Sequence, residues 1–287
     1  MVYKMITCNL MGGLGNQMFQ IFATISYAIK SRNQFKFLNQ ESLGGGSTTI
    51  RYTFWKSFFS NLKPFLISNM PSYLHIIREN GFPYNELAVN EMVNRDIMIY
   101  GYFQSYKYFQ ENYSIICRMI GIGKIKDELL NNLNLTNEYL RDTISMHFRI
   151  GDYKKLQDFH PLATYEYYER SLTYIQNHVE PDKKFTILYF CEDVDIDDVS
   201  LIINKLTIKF PTFIFTRGEN SLEDWQQMLL MSCCHHNIIA NSSFSWWAAY
   251  LNFWLDKIIC YPSIWFGPAA KNDTRDLCPL EWIKIFV

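Results

Sequence analysis

The stretch "HFRIGDY" (147–153) places a histidine, an arginine and an aspartate directly after an apolar run that predicts a buried strand. His147 and Arg149 alternate along this strand, so we expect both side chains on the same side. Arginine presents a fork of donors that suits two phosphate oxygens at once. Asp152 would act as a base or would orient Arg149. An ordinary turn with a surface ion pair uses the same residue types, since such pairs are common and weak.

A second candidate, "MGGLGNQMFQ" (11–20), follows the first predicted strand. Its glycines, including Gly15, permit tight turns and close approach of the backbone to a ligand. Asn16 and Gln17 supply amide groups at a predicted helix start. The dinucleotide fingerprint fails because Met18 stands where its third glycine should be, and no P-loop lysine follows. A glycine-rich turn with Asn16 as the helix N-cap is the alternative interpretation.

A third candidate is "ANSSFSWWAAYLN" (240–252), which follows another predicted strand. Asn241, Ser242, Ser243 and Ser245 open a helix whose later face is apolar. Hydroxyls and free backbone N–H groups at a helix N-terminus bind phosphate well. Serine capping explains part of the pattern, but four small polar residues are more than a cap requires.

The acidic stretch "EDVDIDD" (192–198) contains a repeated Asp-x-Asp, a pattern typical of metal–diphosphate sites. It lies where a predicted strand leads into a helix, and acidic residues in a first helical turn suit the helix dipole. We therefore favour capping over metal binding and predict no metal site. Asp193 would instead hydrogen-bond a nucleobase or a ribose.

The bulk properties of the chain exclude several classes of function. The chain has 287 residues, is 48% hydrophobic and carries a formal net charge of −1, so no general attraction to nucleic acid or anionic membrane is expected. The seven cysteines include no CxxC spacing, which favours reduced thiols in a cytoplasmic protein. The most membrane-like segment, 238–255, is interrupted by polar residues, so we predict no transmembrane segment. Peripheral contact with a membrane and the oligomeric state stay open.

Apolar runs of strand length alternate with helix-period segments in the C-terminal half, which predicts a parallel sheet covered on both faces. The predicted strands are 143–149, 185–190, 212–216, 236–240 and 257–261. The N-terminal half also opens with a strand, a loop and a helix, and its middle, 41–95, is irregular. We place a boundary in the polar stretch 131–142. The predicted fold class is α/β, with two halves, 1–138 and 139–287, facing each other across a central cleft.

All three candidate stretches follow predicted strands, and ligands bind outside the carboxyl ends of parallel strands. In these motifs, the chain resembles glycosyltransferase family 11, the α-1,2-fucosyltransferases. The matching pieces are "GGLGNQMFQ", "GYFQSYKYF" (101–109), "HFRIGDY" and "DWQQMLLMSCCHHNIIANSSFSWWAAYLN" (224–252), in the order of the family.

The resemblance implies a GT-B-like fold of two Rossmann-like halves, the first on the acceptor side and the second binding GDP-fucose. It also implies GDP-β-L-fucose as donor, the 2-hydroxyl of a galactose-containing glycan as acceptor, and inversion at the anomeric carbon. No essential metal or other cofactor is implied. We expect the irregular segment 41–95 and the 101–109 loop to recognise the acceptor.

The resemblance also implies roles for the residues of the motifs. Arg149 would neutralise the diphosphate of the donor, His147 would lie near the guanine or ribose, and Asp152 is the first choice for the base. The residues that would line the donor are Gly15, Asn16, Gln17, Asp193, Asn241, Ser242, Ser243 and Phe244, with Asn16 also counted as catalytic. Many members of the family read HxRRGDY, and here Ile150 replaces the second arginine.

Two other functions fit parts of the same sequence. A transferase that uses another sugar nucleotide shares the diphosphate features, because the motifs indicate a diphosphate more clearly than a sugar. A non-catalytic glycan-binding module would explain the aromatic residues, but it needs neither Arg149 nor a phosphate-binding helix start. A nicotinamide-dependent oxidoreductase is disfavoured by the missing third glycine.

Overall fold

A computed structural model of the protein describes residues 4–44, 49–88, 95–181 and 183–286. The chain divides into two compact units, each described here by itself. The first unit comprises Met1–Ile125 and Asp273–Pro279, and the second comprises Lys126–Asn272 and Leu280–Val287. This division comes earlier in the chain than the predicted boundary between 138 and 139. The return of residues 273–279 to the first unit was not predicted.

The first unit is built on a parallel sheet of four strands in the order β2-β1-β8-β7, with α1 packed against it. Its elements are β1 (Met5–Cys8), α1 (Leu14–Lys30), β2 (Gln34–Phe35), β3 (Phe37–Leu38), β4 (Ser42–Leu43), β5 (Arg51–Tyr52), β6 (Leu66–Ile67), β7 (His75–Arg78), β8 (Ile97–Tyr100) and α2 (Tyr113–Ile120). Short 3-10 turns lie at Ser60–Phe65, Tyr106–Tyr108 and Gln110–Asn112. Helix α3 (Ile122–Asn132) spans the division between the units.

The apolar side chains of α1 explain its position, because Ile21, Phe22 and Ile25 are fully buried. The turn that leads into the helix uses Gly12 in the left-handed region (φ +75°), which a residue with a side chain rarely adopts. The chain between α1 and β8 is irregular, as predicted, and includes several strands of two residues. Residues 45–48, which include part of "GGG" (44–46), and residues 89–94 lie outside the described residues.

The second unit contains a parallel sheet of six strands in the order β11-β10-β9-β12-β13-β14. Its elements are α4 (Asn137–Arg141), β9 (Thr143–His147), α5 (Tyr165–His178), β10 (Thr186–Phe190), α6 (Ile196–Lys209), β11 (Ile214–Arg217), α7 (Asp224–Cys233), β12 (His236–Ile238), α8 (Ser243–Tyr250), β13 (Ile259–Pro262) and β14 (Ile283–Ile285), with 3-10 turns at Gly151–Lys155 and Asp193–Asp195. Strands β9 to β11 extend the sheet to one side and β12 to β14 extend it to the other. The chain order therefore reverses between β9 and β12, the place where such sheets bind ligands.

The core of the second unit fixes the loops that follow β9 and β12. Tyr167 is fully buried, and its hydroxyl donates to the carbonyls of Ile239 (2.5 Å) and Cys260 (3.0 Å). The neighbouring Tyr168 donates its hydroxyl to the carbonyl of His147 at 3.0 Å. Two buried tyrosines of α5 thus bond to the end of β9, to the residue after β12 and to the interior of β13.

The fold class predicted from the sequence is confirmed. The chain is α/β and each half has a parallel sheet, as expected for a GT-B-like protein. The five strands predicted in the C-terminal half correspond to β9 to β13, and β14 was missed. Residues 131–142 are polar because most of them are exposed on the ends of α3 and α4, and not because they form a linker. The ammonium of Lys126 is buried and donates to the carbonyl of Leu251 at 2.6 Å, which explains why the second unit begins within α3.

The segment 273–279 joins the first unit through Asp276. Its carbonyl accepts from the hydroxyl of Ser105 at 2.6 Å, and its carboxylate accepts from Lys107 (2.5 Å) and from the backbone N–H of Tyr84 (3.1 Å). These bonds tie the segment to two loops of the first unit. Across the described part of the chain, no helix has the length and apolarity needed to cross a membrane.

Candidate active site

Arg149 lies at the carboxyl end of β9, where the sequence predicted it, but its charge is already compensated. Its Nη2 donates to Asp152 Oδ1 at 2.6 Å, and its Nη1 donates to Glu192 in the loop after β10. The guanidinium carbon lies 5.2 Å from the ring centre of Tyr153. Burial disfavours the charged form, but the charges of Asp152 and Glu192 outweigh it and raise the pKa of Arg149. A guanidinium has five N–H donors, so two carboxylates leave it able to bind a further anion.

His147 lies at the last position of β9 and is 7% exposed. Its imidazole packs on the ring of Phe244, with centroids 5.5 Å apart. Burial, helped by the charge of Arg149, lowers the pKa of His147 to about 3, so the ring is neutral near pH 7. Its Nδ1 is buried and has no hydrogen-bond partner among the described residues. A buried polar atom without a partner is costly, so this nitrogen is suited to bind a polar group of a ligand.

The helix start predicted at Ser242–Ser243 is present. Ser242 is the N-cap of α8, and its hydroxyl accepts from the backbone N–H of Phe244 at 3.3 Å. Asn241 is 2% exposed, and its Nδ2 donates to the carbonyls of Pro161 (2.8 Å) and Trp265 (3.1 Å). Asn241 therefore holds the loop in place and also borders a cavity of about 410 Å³. Both alternatives from the sequence, capping and ligand binding, fit this geometry.

The acidic stretch after β10 pairs with cations and with the backbone. Asp193 bonds to Arg217 at the end of β11, and this bond lowers the pKa of Asp193. Asp195 is buried and its Oδ2 accepts from the backbone N–H of Gly151 at 2.8 Å. The stretch thus positions the turn that carries Arg149. Within the described ranges, no group of three or more His, Cys, Asp or Glu side chains is arranged to hold a metal ion.

Gly15, Asn16 and Gln17 belong to the first unit, in the first turn of α1. Asn16 is not the N-cap, because that position is held by Gly13. Instead, Asn16 Oδ1 accepts from Gln104 Nε2 at 2.8 Å. Gln17 is fully buried and its Nε2 donates to the carbonyl of Tyr52 at 2.9 Å, among others. Gly15 is also buried.

The structure brings all eight predicted site residues of the second unit to the carboxyl ends of three adjacent strands or to the loops and helix start that follow them. These are His147, Arg149 and Asp152 after β9, Asp193 after β10, and Asn241, Ser242, Ser243 and Phe244 after β12. Sequence reasoning missed Glu192 and Tyr153, which contact Arg149. Glu192 carried a signal, since it begins the acidic stretch directly after a strand. The second arginine of the family pattern is replaced by Ile150, which is 8% exposed and packs in the core.

Comparison with known proteins agrees with the resemblance seen in the motifs. An α-1,2-colitosyltransferase of Escherichia coli is 27% identical, over 98% of this chain and 99% of its own length. The O-antigen biosynthesis glycosyltransferase WbnK of Escherichia coli is 29% identical, over 67% of this chain and 62% of its own length. The structure of the fucosyltransferase NodZ from Bradyrhizobium is 12% identical and covers 88% of this chain and 93% of its own, with a TM-score of 0.48.

The family model described as glycosyl transferase family 11 matches residues 73–284, which is most of the chain. The protein therefore belongs to glycosyltransferase family 11 and is a glycosyltransferase.

Proposed function

We propose that the protein transfers L-fucose from GDP-β-L-fucose to the 2-hydroxyl of a galactose-containing acceptor glycan, with inversion and without an essential metal. The observation that carries the proposal is the buried, neutral His147, whose Nδ1 has no partner among the described residues, two residues before Arg149 at the end of β9. A nucleoside diphosphate sugar offers both a polar base or ribose for His147 and an anionic diphosphate for Arg149. The position where the chain order of the sheet reverses supports the same ligand class.

In the proposed reaction, the bond between the anomeric carbon and the diphosphate oxygen breaks, and its electron pair leaves with GDP. Negative charge builds on the departing diphosphate while the sugar becomes oxocarbenium-like. Arg149 and the backbone N–H groups at the start of α8, next to Ser242 and Ser243, would stabilise that charge. Asp152 would hold the guanidinium in place, since its Oδ1 already accepts from Arg149 at 2.6 Å.

A second donor is favoured by one specific observation. The relative that aligns along 98% of this chain is named an α-1,2-colitosyltransferase. Colitose is L-fucose without its 3-hydroxyl, so the nucleotide part and the chemistry at the anomeric carbon are shared. We therefore propose GDP-colitose as the alternative donor, with the same roles for His147 and Arg149.

The acceptor belongs to the proposal as well. We assign its recognition to residues 101–109 and to the described parts of 41–95, both in the first unit. We propose a cytoplasmic enzyme that contacts a membrane peripherally when the acceptor glycan is lipid-linked. The proposed partners are the sugar nucleotide and a galactose-terminated glycan, and no nucleic acid.

The test measures GDP release from each donor, with and without lactose, in EDTA, for wild type and Arg149→Ala. We expect release that depends on acceptor, survives EDTA and falls about 10²- to 10³-fold in Arg149→Ala, the size of loss seen when one stabilising donor is removed. Arg118→Ala, at an exposed arginine, is the matched control and should behave as wild type. Loss of turnover in EDTA would overturn the metal-free mechanism. Absence of turnover with both donors, together with no stabilisation by GDP, would overturn the proposed function.

A further inference from the structure

Tyr153 lies in the 3-10 turn after β9, beside Arg149. Its ring centre is 5.2 Å from the guanidinium carbon, a distance at which a cation is attracted to an aromatic ring. The turn itself is fixed at two points. The backbone N–H of Tyr153 donates to the carbonyl of Ile150 at 2.8 Å, and the backbone N–H of Gly151 donates to Asp195 Oδ2 at 2.8 Å. Tyr153 therefore has a defined place next to the cation proposed to bind the donor.

The hydroxyl of Tyr153 reaches the other anion-binding element of the site. Burial raises the pKa of Tyr153, so the hydroxyl keeps its proton near pH 7. It donates to the backbone carbonyl of Asn241 at 3.3 Å, which is a long bond, so the packing of the ring must contribute as well. Asn241 comes directly before Ser242, the N-cap of α8, whose N–H groups are proposed to bind the diphosphate. One side chain thus connects the end of β9 with the start of α8.

The imidazole of His160 supports the ring of Tyr153. The two rings stack with centroids 4.6 Å apart and planes inclined by 18°. On His160 also packs the ring of Phe266, with centroids 5.7 Å apart. Burial lowers the pKa of His160, and the charge of Asp152 offsets only part of the change, so the imidazole is neutral near pH 7. An uncharged ring can stack here without adding a positive charge near Arg149.

Hydrogen bonds to other segments of the second unit hold the loop that carries His160. The backbone N–H of Gly267 donates to the carbonyl of Phe159 at 2.9 Å. The carbonyl of Pro161 accepts from the side chain of Asn241 at 2.8 Å. Asn241 is therefore bonded twice, through its own carbonyl to the turn after β9 and through its side chain to this loop. The contacts form a closed set, which restricts the movement of each member.

The charges around Arg149 make its position important. Arg149 bonds to two carboxylates, Asp152 and Glu192, so this group of side chains carries more negative than positive charge. An arriving diphosphate is repelled by the carboxylates, and it gains most when the guanidinium and the N–H groups of α8 contact it together. The spacing between Arg149 and the start of α8 is therefore the feature that must be kept.

We infer that Tyr153 is a positioning residue that holds the guanidinium of Arg149 and the start of α8 at one spacing, so that both bind the same diphosphate. This inference rests on the proposed function. The ring of Tyr153 fixes the guanidinium, its hydroxyl fixes the carbonyl that precedes α8, and His160 fixes the ring. All of these contacts lie within the second unit. A misplacement of about 1 Å can cost about 10²-fold in rate.

The experiment compares wild type with Tyr153→Leu, Tyr153→Phe, His160→Ala and His160→Phe. The two phenylalanine variants keep the stacked rings. Tyr174→Leu is the matched control, because Tyr174 stacks on His178 near the end of α5, with centroids 3.9 Å apart. The readouts are GDP affinity by calorimetric titration, the kcat of transfer to lactose from GDP-fucose and from GDP-colitose, and thermal unfolding.

Each variant has an expected pattern. We expect Tyr153→Leu to lower GDP affinity about tenfold and kcat about 10²-fold, with smaller losses in Tyr153→Phe. His160→Ala should lower GDP affinity several-fold, whereas His160→Phe should keep it because the stack remains. Tyr174→Leu should lower stability and leave GDP affinity and kcat unchanged.

A double-mutant cycle with Arg149→Ala separates positioning from general destabilisation. In the wild-type background, Arg149→Ala removes the full contribution of the guanidinium to GDP binding. In Tyr153→Leu the guanidinium is already displaced, so the same change should cost about tenfold less in GDP affinity. A variant that is only less stable would show the same cost in both backgrounds.

The outcomes separate this inference from the proposed function. An equal cost of Arg149→Ala in both backgrounds would overturn the role of Tyr153 and leave the transferase standing. Wild-type GDP affinity and kcat in Tyr153→Leu would do the same. If Tyr153→Leu does not fold, the cycle is run with His160→Ala, and an equal cost there would overturn the role. No GDP binding and no transfer by wild type with either donor would remove both.

Discussion

The imidazole of His147 packs against the ring of Phe244, with centroids 5.5 Å apart and the planes inclined by 42°. His147 ends β9 and Phe244 lies in the first turn of α8, the helix that follows β12, and the chain order of the sheet reverses between β9 and β12. One ring therefore holds the other at the place where the proposed nucleotide binds. The contact also leaves the Nδ1 of His147 buried without a partner among the residues described.

Replacing His147 by phenylalanine should separate ligand binding from stability. The new ring keeps the contact with Phe244 but has no nitrogen, so we expect GDP affinity to fall about tenfold, the value of one hydrogen bond of about 1.4 kcal/mol. Stability should be unchanged or higher, because a buried nitrogen without a partner is removed. Calorimetric titration with GDP and thermal unfolding measure the two effects. His75→Phe, at an exposed histidine, is the control, and equal affinity in both variants would contradict the prediction.

Stability should fall in mild acid because of two histidines. Burial lowers the pKa of His147 and of His236 to about 3, while the unfolded chain has histidine pKa values near 6.5. Between these values the unfolded state binds more protons than the folded state. The contribution of the two neutral histidines to stability is therefore complete above about pH 6.5 and is lost as the pH falls. Each histidine lowers the free energy of unfolding by up to about 1.4 kcal/mol for every pH unit of acidification in this range. Urea unfolding from pH 7 to 5 should show a shallower loss in His147→Phe, and identical slopes would refute the assignment.

Glu192→Gln should strengthen donor binding. The amide oxygen can still accept from Nη1 of Arg149, but one negative charge is removed near the proposed diphosphate. We expect GDP affinity to rise several-fold at low ionic strength and the gain to shrink as salt is added. Glu219→Gln, an exposed glutamate bonded to Ser221, is the matched control. Weaker binding in Glu192→Gln would mean that the carboxylate positions Arg149 more than it repels the ligand.

Restoring the second arginine of the family pattern should not restore a binding residue. Ile150 is 8% exposed and packs in the core of the second unit, so Ile150→Arg buries a charge without a partner. We expect a loss of about 3 kcal/mol or more in the free energy of unfolding and no gain in GDP affinity. Ile150→Val should cost only about 1 kcal/mol. A stable Ile150→Arg enzyme with tighter GDP binding would show that the position can face the ligand.

Gly101→Ala should destabilise the first unit. The added Cβ overlaps Glu79, so we expect overpacking to cost about 1–3 kcal/mol in the free energy of unfolding. Gly123→Ala provides the opposite control, because this exposed helical glycine has open space around it and alanine should stabilise the protein by about 0.5–1 kcal/mol. Urea unfolding measures both effects, and wild-type stability in Gly101→Ala would show that Glu79 moves aside without cost.

The sequence was informative where the signal is local. Apolar runs of strand length predicted β9 to β13, and polar residues directly after them predicted the edge of the sheet where His147, Arg149 and Ser242 lie. The alternation of residues along a strand is a fixed geometric rule, so the expectation that His147 and Arg149 share a side needed no tertiary information.

The sequence was uninformative where two distant segments meet. Glu192 lies 43 residues from Arg149, and only the pairing of β9 with β10 brings the two together. Nothing near Glu79 in the sequence marks its position, because that position depends on Gly101 in the loop after β8, whose carbonyl accepts from Gln20 of α1. The burial of Ile150 likewise follows from packing and not from its neighbours in the chain.

The bonds of Asp276 have a consequence for the order in which the chain can fold during synthesis. Its partners Tyr84, Ser105 and Lys107 leave the ribosome long before Asp276 does. The first unit therefore stays incomplete until residue 276 has been translated, although proteins commonly fold from the N-terminus as they emerge. A truncated product that ends before residue 273 would lack these bonds, so we expect its first unit to open more readily and to be cleaved faster by proteases than in the intact chain.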